Sequence, residues 1–306
     1  MEWHKKKINT KLLLKVILVI LCLYTLFFLF KNLYSSAFFQ KRDRVNVLFY
    51  GKETLLYSIG LVDSVDYVLS LPADLETIIP GGYGYYRVGA LGRLVDLEKK
   101  PDLFRKSFSL LSLSFIDFYF YPSANRQMNR GAEIYFGEGL IDTGVPSITS
   151  LFLSQTNAHF FDRIYLFFRF FAKTKSQFKE ISKIPTEKRA DIAAFSIEKF
   201  FESSQGYFYK KSYRNEKRVV QILYTKSYET VQAISNILEG EGIRVADLSQ
   251  IDKTEKGCIV WEKESVGSLT ARGIATFLGC KMTKGITSPY DIIVILGEKE
   301  GEWEVD

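Results

Sequence analysis

The chain has 306 residues, enough for one or two globular domains beside a hydrophobic N-terminal segment. Its formal net charge is +6, yet the first 44 residues carry nine lysines and arginines against Glu2 and Asp43. That segment therefore holds +7 and the remaining residues together hold −1. This distribution excludes a nucleic-acid-binding protein, because no large positive field remains outside the N-terminal segment.

The few histidines and cysteines narrow the possible chemistry. With only His4 and His159, a His-rich metal site is excluded. A Ser-His-Asp triad would have to use His159, for which the spacing suggests no partner. No CxxC motif occurs, so zinc and thioredoxin-like chemistry have no support. For Cys258 and Cys280, two buried thiols are the favoured interpretation, and a disulfide in an oxidising space stays open.

The segment Leu12–Phe30 predicts a transmembrane helix. Fifteen of its nineteen residues are Leu, Ile, Val or Phe, and Lys15 is its single charge. A helix of this length spans the hydrocarbon core of a bilayer. Residues 1–11 are then a cytoplasmic tail and the bulk is extracytoplasmic, with a slight excess of flanking Lys and Arg, five against four. The alternative is a cleaved signal peptide that ends near Ser35–Ala37. The apolar region of a signal peptide usually runs about 7–15 residues, which is shorter than this segment.

Residues 45–172 are predicted to form a first domain around a central sheet. The glycines of Pro80–Gly84 indicate a tight turn and not a phosphate-binding P-loop, because no Lys-Ser/Thr pair follows them. The apolar and turn patterns predict, in chain order, three strands, a helix broken by Pro101, a strand, a loop and a turn-rich strand: Val45–Tyr50, Thr54–Leu61, Val65–Leu71, Arg93–Ser114, Phe115–Tyr121, Asn125–Arg130 and Gly131–Gly144.

The aromatic segment Leu151–Ala172 is not predicted to be a second span, because Gln155, Asp162 and Arg169 are among the polar residues that interrupt it. It predicts a buried or membrane-abutting helix that begins near Asn157. Packing of its aromatic side chains in the core is the favoured interpretation, and a groove for an acyl chain is the alternative.

Residues 173–217 are predicted to be a basic, partly helical connector, with a helix at Glu187–Glu202 and a boundary loop at Lys210–Lys217. Residues 218–298 are predicted to form a small βαββαβ module, and residues 299–306 an acidic, frayed tail that continues from Gly297. The fold class is thus α/β, of the α+β kind. The elements of the module are predicted at Val219–Tyr224, Tyr228–Glu239, Ile243–Leu248, Cys258–Glu262, Ser265–Leu278 and Asp291–Leu296.

Two stretches resemble the LytR-CpsA-Psr family of cell-envelope proteins. The first joins Asp66-Tyr-Val-Leu-Ser-Leu-Pro-Ala-Asp74, Ile79-Pro-Gly-Gly-Tyr-Gly84, Arg87-Val88 and Ile116-Asp-Phe-Tyr-Phe120, and is similar to the family's strand, turn and Pro-Gly-Tyr-Gly loop. The second, Arg218–Glu298, resembles the small C-terminal domain found beside the family's catalytic domain. The resemblance implies a divergent catalytic-type domain followed by that C-terminal domain, both behind a single N-terminal span.

The family transfers glycopolymers from a polyprenyl-pyrophosphate carrier to the cell wall, with arginines and a carboxylate-held magnesium ion against the pyrophosphate. Carried over by position, the resemblance implies pyrophosphate-binding candidates at Asp74, Arg87 and Arg163 and metal-ligand candidates at Glu53 and Asp74. Solvated surface charge is the alternative for these residues. Ala73 stands where the family has an arginine, which removes a bidentate phosphate donor. No catalytic residue and no cofactor is assigned, and Mg²⁺ is expected only if the protein is catalytic.

The favoured function is therefore a membrane-anchored extracytoplasmic protein of the cell envelope that is non-catalytic or weakly catalytic. Its expected partners are the membrane and a polyprenyl-linked wall glycopolymer, peptidoglycan or an envelope protein, with no nucleic acid. The alternative is a phosphotransferase that attaches glycopolymers from polyprenyl pyrophosphate carriers to the cell wall. A transcriptional attenuator is a weaker hypothesis, because no DNA-binding helix or basic patch supports it.

Overall fold

The structure is a computed structural model and describes residues 10–39, 43–51, 53–122, 145–171, 173–181, 184–189, 192–204, 206–252, 256–263 and 267–305. The predicted loop Asn125–Arg130 and strand Gly131–Gly144 lie outside these residues. Within them the fold is mixed α/β, which confirms the predicted fold class.

Helices and strands are interspersed along this part of the chain. The helices are α1 (Thr10–Ser35), α2 (Leu91–Glu98), α3 (Asp102–Ser112), α4 (Ile148–Leu153), α5 (Phe160–Phe171), α6 (Ile197–Ser204), α7 (Lys211–Glu216), α8 (Tyr228–Gly240) and α9 (Leu269–Leu278). The strands are β1 (Arg44–Phe49), β2 (Thr54–Gly60), β3 (Asp66–Leu71), β4 (Glu76–Ile79), β5 (Gly84–Arg87), β6 (Phe118–Tyr121), β7 (Gln155–Thr156), β8 (Phe178–Glu180), β9 (Thr186–Arg189), β10 (Ile192–Phe195), β11 (Val219–Tyr224), β12 (Arg244–Gln250), β13 (Ile259–Glu262), β14 (Lys281–Lys284) and β15 (Ile292–Ile295).

The N-terminal apolar helix α1 is a candidate membrane span. Its segment Leu14–Tyr34 has 21 residues, and none of its most apolar stretch is buried against the rest of the protein. The helix runs past the predicted end at Phe30, because residues 31–35 contain no Gly or Pro that would stop it.

The central sheet has the strand order β7-β6-β1-β2-β3-β8 among the described residues. Its strands β1, β2 and β3, at the positions of the three predicted strands, form an antiparallel meander, and β6 runs parallel to β1. Both faces are covered, because Leu48 and Tyr50 pack against the α2–α3 side while Val47 and Phe49 pack against α5. A strand buried on both faces reads as a continuous apolar run, which explains why β1 was recognisable from its sequence.

The predicted connector 173–217 supplies strands to the first domain. Strand β8 pairs with β3 of the central sheet, and β10 pairs with β4 in a smaller sheet of order β5-β4-β10-β9. The predicted helix Glu187–Glu202 is divided between the hairpin β9–β10 and α6. The pairing of β10 with β4 and β9 therefore determines the structure of this segment, although its sequence pattern is typical of a helix.

The C-terminal module is a sheet of order β12-β11-β15-β13-β14 with α8 and α9 packed against it. It contains the predicted elements and adds β14 between α9 and β15. The prediction of a frayed tail is wrong. Gly297–Trp303 forms a 3-10 segment, and Trp303 is buried against Phe277, with ring centroids 5.3 Å apart. The acidic composition of the tail hides this single apolar anchor.

Cys258 and Cys280 form a disulfide, which corrects the favoured interpretation of two thiols. The strand register explains the pairing. Strand β13 begins at Ile259 and β14 begins at Lys281, and these two residues are partners in a parallel ladder. The cysteines that precede them therefore lie side by side, with Cα atoms 4.6 Å apart, which is within the range that a disulfide bridges.

A buried polar cluster joins the first domain to the C-terminal module. The Lys210 ammonium lies 2.7 Å from the Glu241 carboxylate and 3.4 Å from that of Asp117. Asp117 accepts a hydrogen bond from Asn46 N on β1, and Glu241 accepts one from Phe115 N. Burial raises the pKa of Glu241 to about 7, while Lys210 acts in the opposite direction. The cluster thus contacts the central sheet and the end of α8 at once.

Candidate functional site

The turn after β3 carries Asp74, the first of the predicted phosphate-site residues. Within this turn Leu75 N donates to the Pro72 carbonyl at 3.2 Å. The segment after β5 holds the turn in place, because Gly89 N donates to the Ala73 carbonyl at 2.8 Å. A Cβ at Gly89 would come within 3.0 Å of the Ala73 Cβ, so the glycine permits this close approach. The Asp74 side chain itself is exposed.

Arg87 and Glu53 lie at the same end of the central sheet as Asp74. Arg87 is the last residue of β5, directly before the segment that bonds to the turn. Glu53 precedes β2, whose first residue Thr54 pairs with Leu71 at the end of β3. All three charged side chains are exposed. The structure therefore brings Glu53, Asp74 and Arg87 to one end of the sheet.

Arg163 donates hydrogen bonds to backbone carbonyls in a different part of the molecule. Its guanidinium donates to the carbonyls of Leu151, Phe152 and Ser154 at 3.2, 2.9 and 3.3 Å, and to that of Ala158 at 3.4 Å. The first three carbonyls belong to the end of α4, where a helix leaves its last acceptors unsatisfied. Partial burial in this position lowers the pKa of Arg163.

The sheet order separates Arg163 from the other three predicted residues. Its acceptors lie beside β7, whereas Asp74 follows β3, and β6, β1 and β2 lie between those strands. At about 4.8 Å per strand the two strands are roughly 19 Å apart. The structure does not bring Arg163 to the end of the sheet where Glu53, Asp74 and Arg87 lie.

Replacing Arg163 by alanine is expected to lower the free energy of unfolding by about 2 kcal/mol, because the carbonyls at the end of α4 lose a charged donor. Arg169→Ala is the matched control on the same helix, since its exposed guanidinium only packs on the Tyr165 ring, 5.1 Å from the centroid, and a change of about 0.5 kcal/mol or less is expected. Thermal unfolding of the full chain in detergent micelles measures both. Equal stability of the two variants would contradict the capping role.

A second cation lies near Arg87 that sequence reasoning did not identify. The Arg189 guanidinium sits over the Tyr85 ring at 3.5 Å from its centroid, and Tyr85 is two residues before Arg87 on β5. The sequence does not reveal the position of Arg189, because this residue belongs to a segment whose pattern predicts a helix. Its contact with Tyr85 depends on the pairing of β10 with β4.

The described residues contain no preformed cluster of metal ligands. Glu53 and Asp74 are both exposed, and no group of three or more His, Cys, Asp or Glu side chains that could hold a metal ion occurs in the part of the chain that the structure describes. Magnesium in proteins is commonly bound through one or two carboxylates together with substrate phosphates, so that Glu53 and Asp74 would need the phosphates of a bound substrate to complete a site. The arrangement of these carboxylates therefore supports no chemical step through a metal ion.

A basic cleft of about 650 Å³ lies between the α6–α7 segment and the end of α8. We define it by four cations and one carboxylate. Its rim also includes the rings of two tyrosines and of one phenylalanine. The charged and aromatic residues that line the cleft are Arg214, Lys217, Arg218, Arg244, Glu239, Tyr209, Tyr213 and Phe201.

The chain path explains why these cations gather. Arg218 directly precedes β11, and Arg244 is the first residue of β12. Val219 and Arg244 are partners in a parallel ladder, so Arg218 and Arg244 lie at the same end of the sheet. Arg214 lies on α7, and its guanidinium is 5.9 Å from the centroid of the Tyr209 ring. Burial raises the pKa of Glu239, the one carboxyl group among the residues that line the cleft.

No family model matches the chain, and no curated protein matches it. Among solved structures, the LytR-CPS2A-psr family protein YwtF (TagT) with bound octaprenyl pyrophosphate lipid is similar at 13% identity and a TM-score of 0.35, covering 54% of this chain and 90% of that one. TagT of B. subtilis is similar at 12% identity and a TM-score of 0.25, covering 74% and 85%. These two belong to the family whose motifs the sequence resembles.

A transcriptional regulator from Enterococcus faecalis is similar at 15% identity and a TM-score of 0.22. The match covers 26% of this chain and 31% of the regulator, so the chain spans about a third of that protein's length.

Proposed function

We propose that this protein is a membrane-anchored, extracytoplasmic component of the cell envelope that binds an anionic glycopolymer in its basic cleft. The candidate span α1 supports the anchorage. The disulfide between Cys258 and Cys280 supports an oxidising, extracytoplasmic location for the C-terminal module, because disulfides persist in such compartments and are rare in the cytosol.

The observation that carries the proposal is the charge of the cleft. Residues 45–306 sum to −1, yet four cations and a single carboxylate line this one cavity. A concave surface of one sign concentrates ligands of the opposite sign. Tyr209 and Tyr213 add flat apolar faces with polar hydroxyls, on which sugar rings can pack while hydroxyls hydrogen-bond. Phosphate-linked glycopolymers combine both features.

A phosphotransferase is the second candidate. The observation that favours it is the meeting of Glu53, Asp74 and Arg87 at one end of the central sheet, with Arg189 nearby. Ala73 at the position of the family's arginine weighs against it, because no guanidinium within that turn can clamp a phosphate. The polyprenyl-pyrophosphate substrate of this candidate is implied by the resemblance alone.

The binding proposal is tested with phosphomannan, and neutral mannan of matched length serves as the control ligand. The full chain is held in nanodiscs of zwitterionic phosphatidylcholine, so that the lipid adds no anionic competitor. The variant Arg214→Glu/Arg244→Glu reverses two cations of the cleft. We expect its Kd for phosphomannan to rise about tenfold or more, equivalent to about 1.4 kcal/mol or more. Binding to the unaltered protein is expected to weaken as salt is added.

The matched control variant is Lys179→Glu/Lys188→Glu. It makes the same change in net charge at exposed residues of β8 and β9, outside the cleft. Its Kd should stay near that of the unaltered protein. An equal loss of affinity in both variants, or equal binding of phosphomannan and neutral mannan, would remove the cleft as the binding site.

A further inference from the structure

Helix α5 is rich in phenylalanine, and only part of its apolar surface is buried. Tyr165, Leu166 and Phe170 pack against the central sheet. On another face Phe160 and Phe168 are 62% and 63% exposed. Large apolar side chains that lie exposed together mark a contact with protein or with lipid. The outward phenylalanines of α5 therefore require a covering partner.

These side chains form one surface, which we call the α5 patch. At 100° per residue, Phe160, Phe168 and Phe171 fall within an arc of about 80° on the helix. With roughly 200 Å² per phenylalanine, their exposed fractions leave roughly 400 Å² of apolar surface, as large as the biggest patches on typical soluble monomers. The patch extends by further exposed side chains of α4 and of the segment after α1, namely Leu153, Phe38 and Phe39.

The patch is attached directly to the end of the candidate span. Ala37 N, two residues after α1, donates to the Asp162 carboxylate of α5 at 2.7 Å. The rings of Phe38 and Tyr165 meet edge to face, with centroids 5.1 Å apart. Asp162 and Ala37 are both buried, so the contact is part of the core and not a surface encounter. The height of α5 relative to the end of α1 is fixed by these contacts.

We propose that the α5 patch lies in the interfacial layer of the bilayer that α1 spans, so that α4 and α5 rest on the membrane as a second, non-spanning attachment. Attachment of α5 to the span is the argument for lipid as the occupant, since Ala37 and Phe38, directly after α1, contact Asp162 and Tyr165 of this helix. Exposed cations flank it, with Lys31 on α1 and Arg169 on α5. Aromatic side chains bordered by cations are the usual composition of membrane-interface helices.

This inference rests on the proposed membrane anchorage, and one experiment separates the two. The full chain is reconstituted in vesicles of phosphatidylethanolamine and phosphatidylglycerol with one nitroxide label per protein. The first label is on native Cys22 in α1, the free cysteine of the described residues. In a Cys22→Ser background the others are on Phe168→Cys, with Phe171→Cys as a second patch site, and on Tyr228→Cys, an exposed residue of α8 in the C-terminal module. Collision rates with oxygen and with a water-soluble nickel chelate are measured.

The oxygen-to-nickel ratio at positions 168 and 171 is expected to be several-fold higher than at position 228 and to approach the ratio at Cys22. Patch labels that resemble position 228, while Cys22 is in lipid, would overturn the inference and leave the anchorage intact; the patch would then face water or another protein. A label at Cys22 that is accessible to nickel would overturn the anchorage, and the patch labels would still decide whether α5 contacts lipid.

Discussion

Replacing Lys210 by methionine is expected to lower the free energy of unfolding by about 3–5 kcal/mol, because the buried Glu241 carboxylate loses its cation. The ammonium lies 2.7 Å from Glu241, whose side chain is fully buried at the end of α8, and 3.4 Å from Asp117. Methionine fills a similar volume without the charge. Thermal unfolding of the full chain in detergent micelles, followed by near-UV circular dichroism at about neutral pH, measures the change.

The neighbouring exposed residue provides the control. Lys211→Met removes a cation one position away, at the first residue of α7, and is expected to change stability by about 0.5 kcal/mol or less. The double variant Lys210→Met/Glu241→Gln is expected to recover much of the loss, because the fully buried position 241 then carries no charge and the remaining carboxylate, Asp117, still accepts a hydrogen bond from Asn46 N. A double variant as unstable as Lys210→Met alone would contradict the role of the ion pair.

The same cluster predicts a pH dependence. Burial raises the pKa of Glu241 from 4.5 to about 7 in the folded protein. Between these values the folded state binds more protons at this site than the unfolded state, so the free energy of unfolding is expected to fall as pH rises through that window. Glu241→Gln should flatten this slope, and an unchanged slope would assign it to other groups.

Removing the disulfide with Cys258→Ser/Cys280→Ser is expected to lower the free energy of unfolding by about 3 kcal/mol, because the reduced chain regains the freedom of the closed loop. The two cysteines are 22 residues apart and join the beginnings of β13 and β14. The loss should appear as earlier unfolding of the C-terminal module, measured by hydrogen exchange of the β13 and β14 amides.

Cys22→Ser is the control for this variant, since Cys22 is exposed on α1 and is a free thiol. Its hydrogen exchange in β13 and β14 should match that of the unaltered protein. Adding a reductant to the unaltered protein should reproduce the effect of the double serine variant. No change in either experiment would show that the bridge does not restrain the module.

The parts of the fold that could be predicted are those with a local signature. The apolar run of α1 and the buried strands β1 and β2 are continuous in sequence, so hydropathy alone located them. The small strands β8 and β10 were not recognised, because each is three or four residues long and is stabilised by a distant partner. Trp303 was missed for a related reason, since a single aromatic residue in an acidic segment has no periodicity.

The candidate site shows the same limit. Glu53, Asp74 and Arg87 lie at one end of the central sheet because of the β2–β3 pairing and the turn after β3. Arg163 matched a family position by counting along the chain, but its contacts with the α4 carbonyls depend on how two helices pack. The cations of the basic cleft come from α7, β11 and β12, so their proximity is a property of the folded module. The segment Lys210–Lys217 is predicted to be a boundary loop from its charges, and this prediction is wrong, because Lys211–Glu216 forms α7.

The hydrogen bond from Ala37 N to Asp162 has a consequence for how the protein moves. If a long unpacked linker followed the span, the globular part could change its orientation and height relative to the membrane. In this protein the chain joins the globular part directly after α1, so the span and the globular part are expected to diffuse in the membrane as one rigid body. Under the proposed function, the cleft would stay at a constant height above the bilayer, and only polymer that reaches this height would bind.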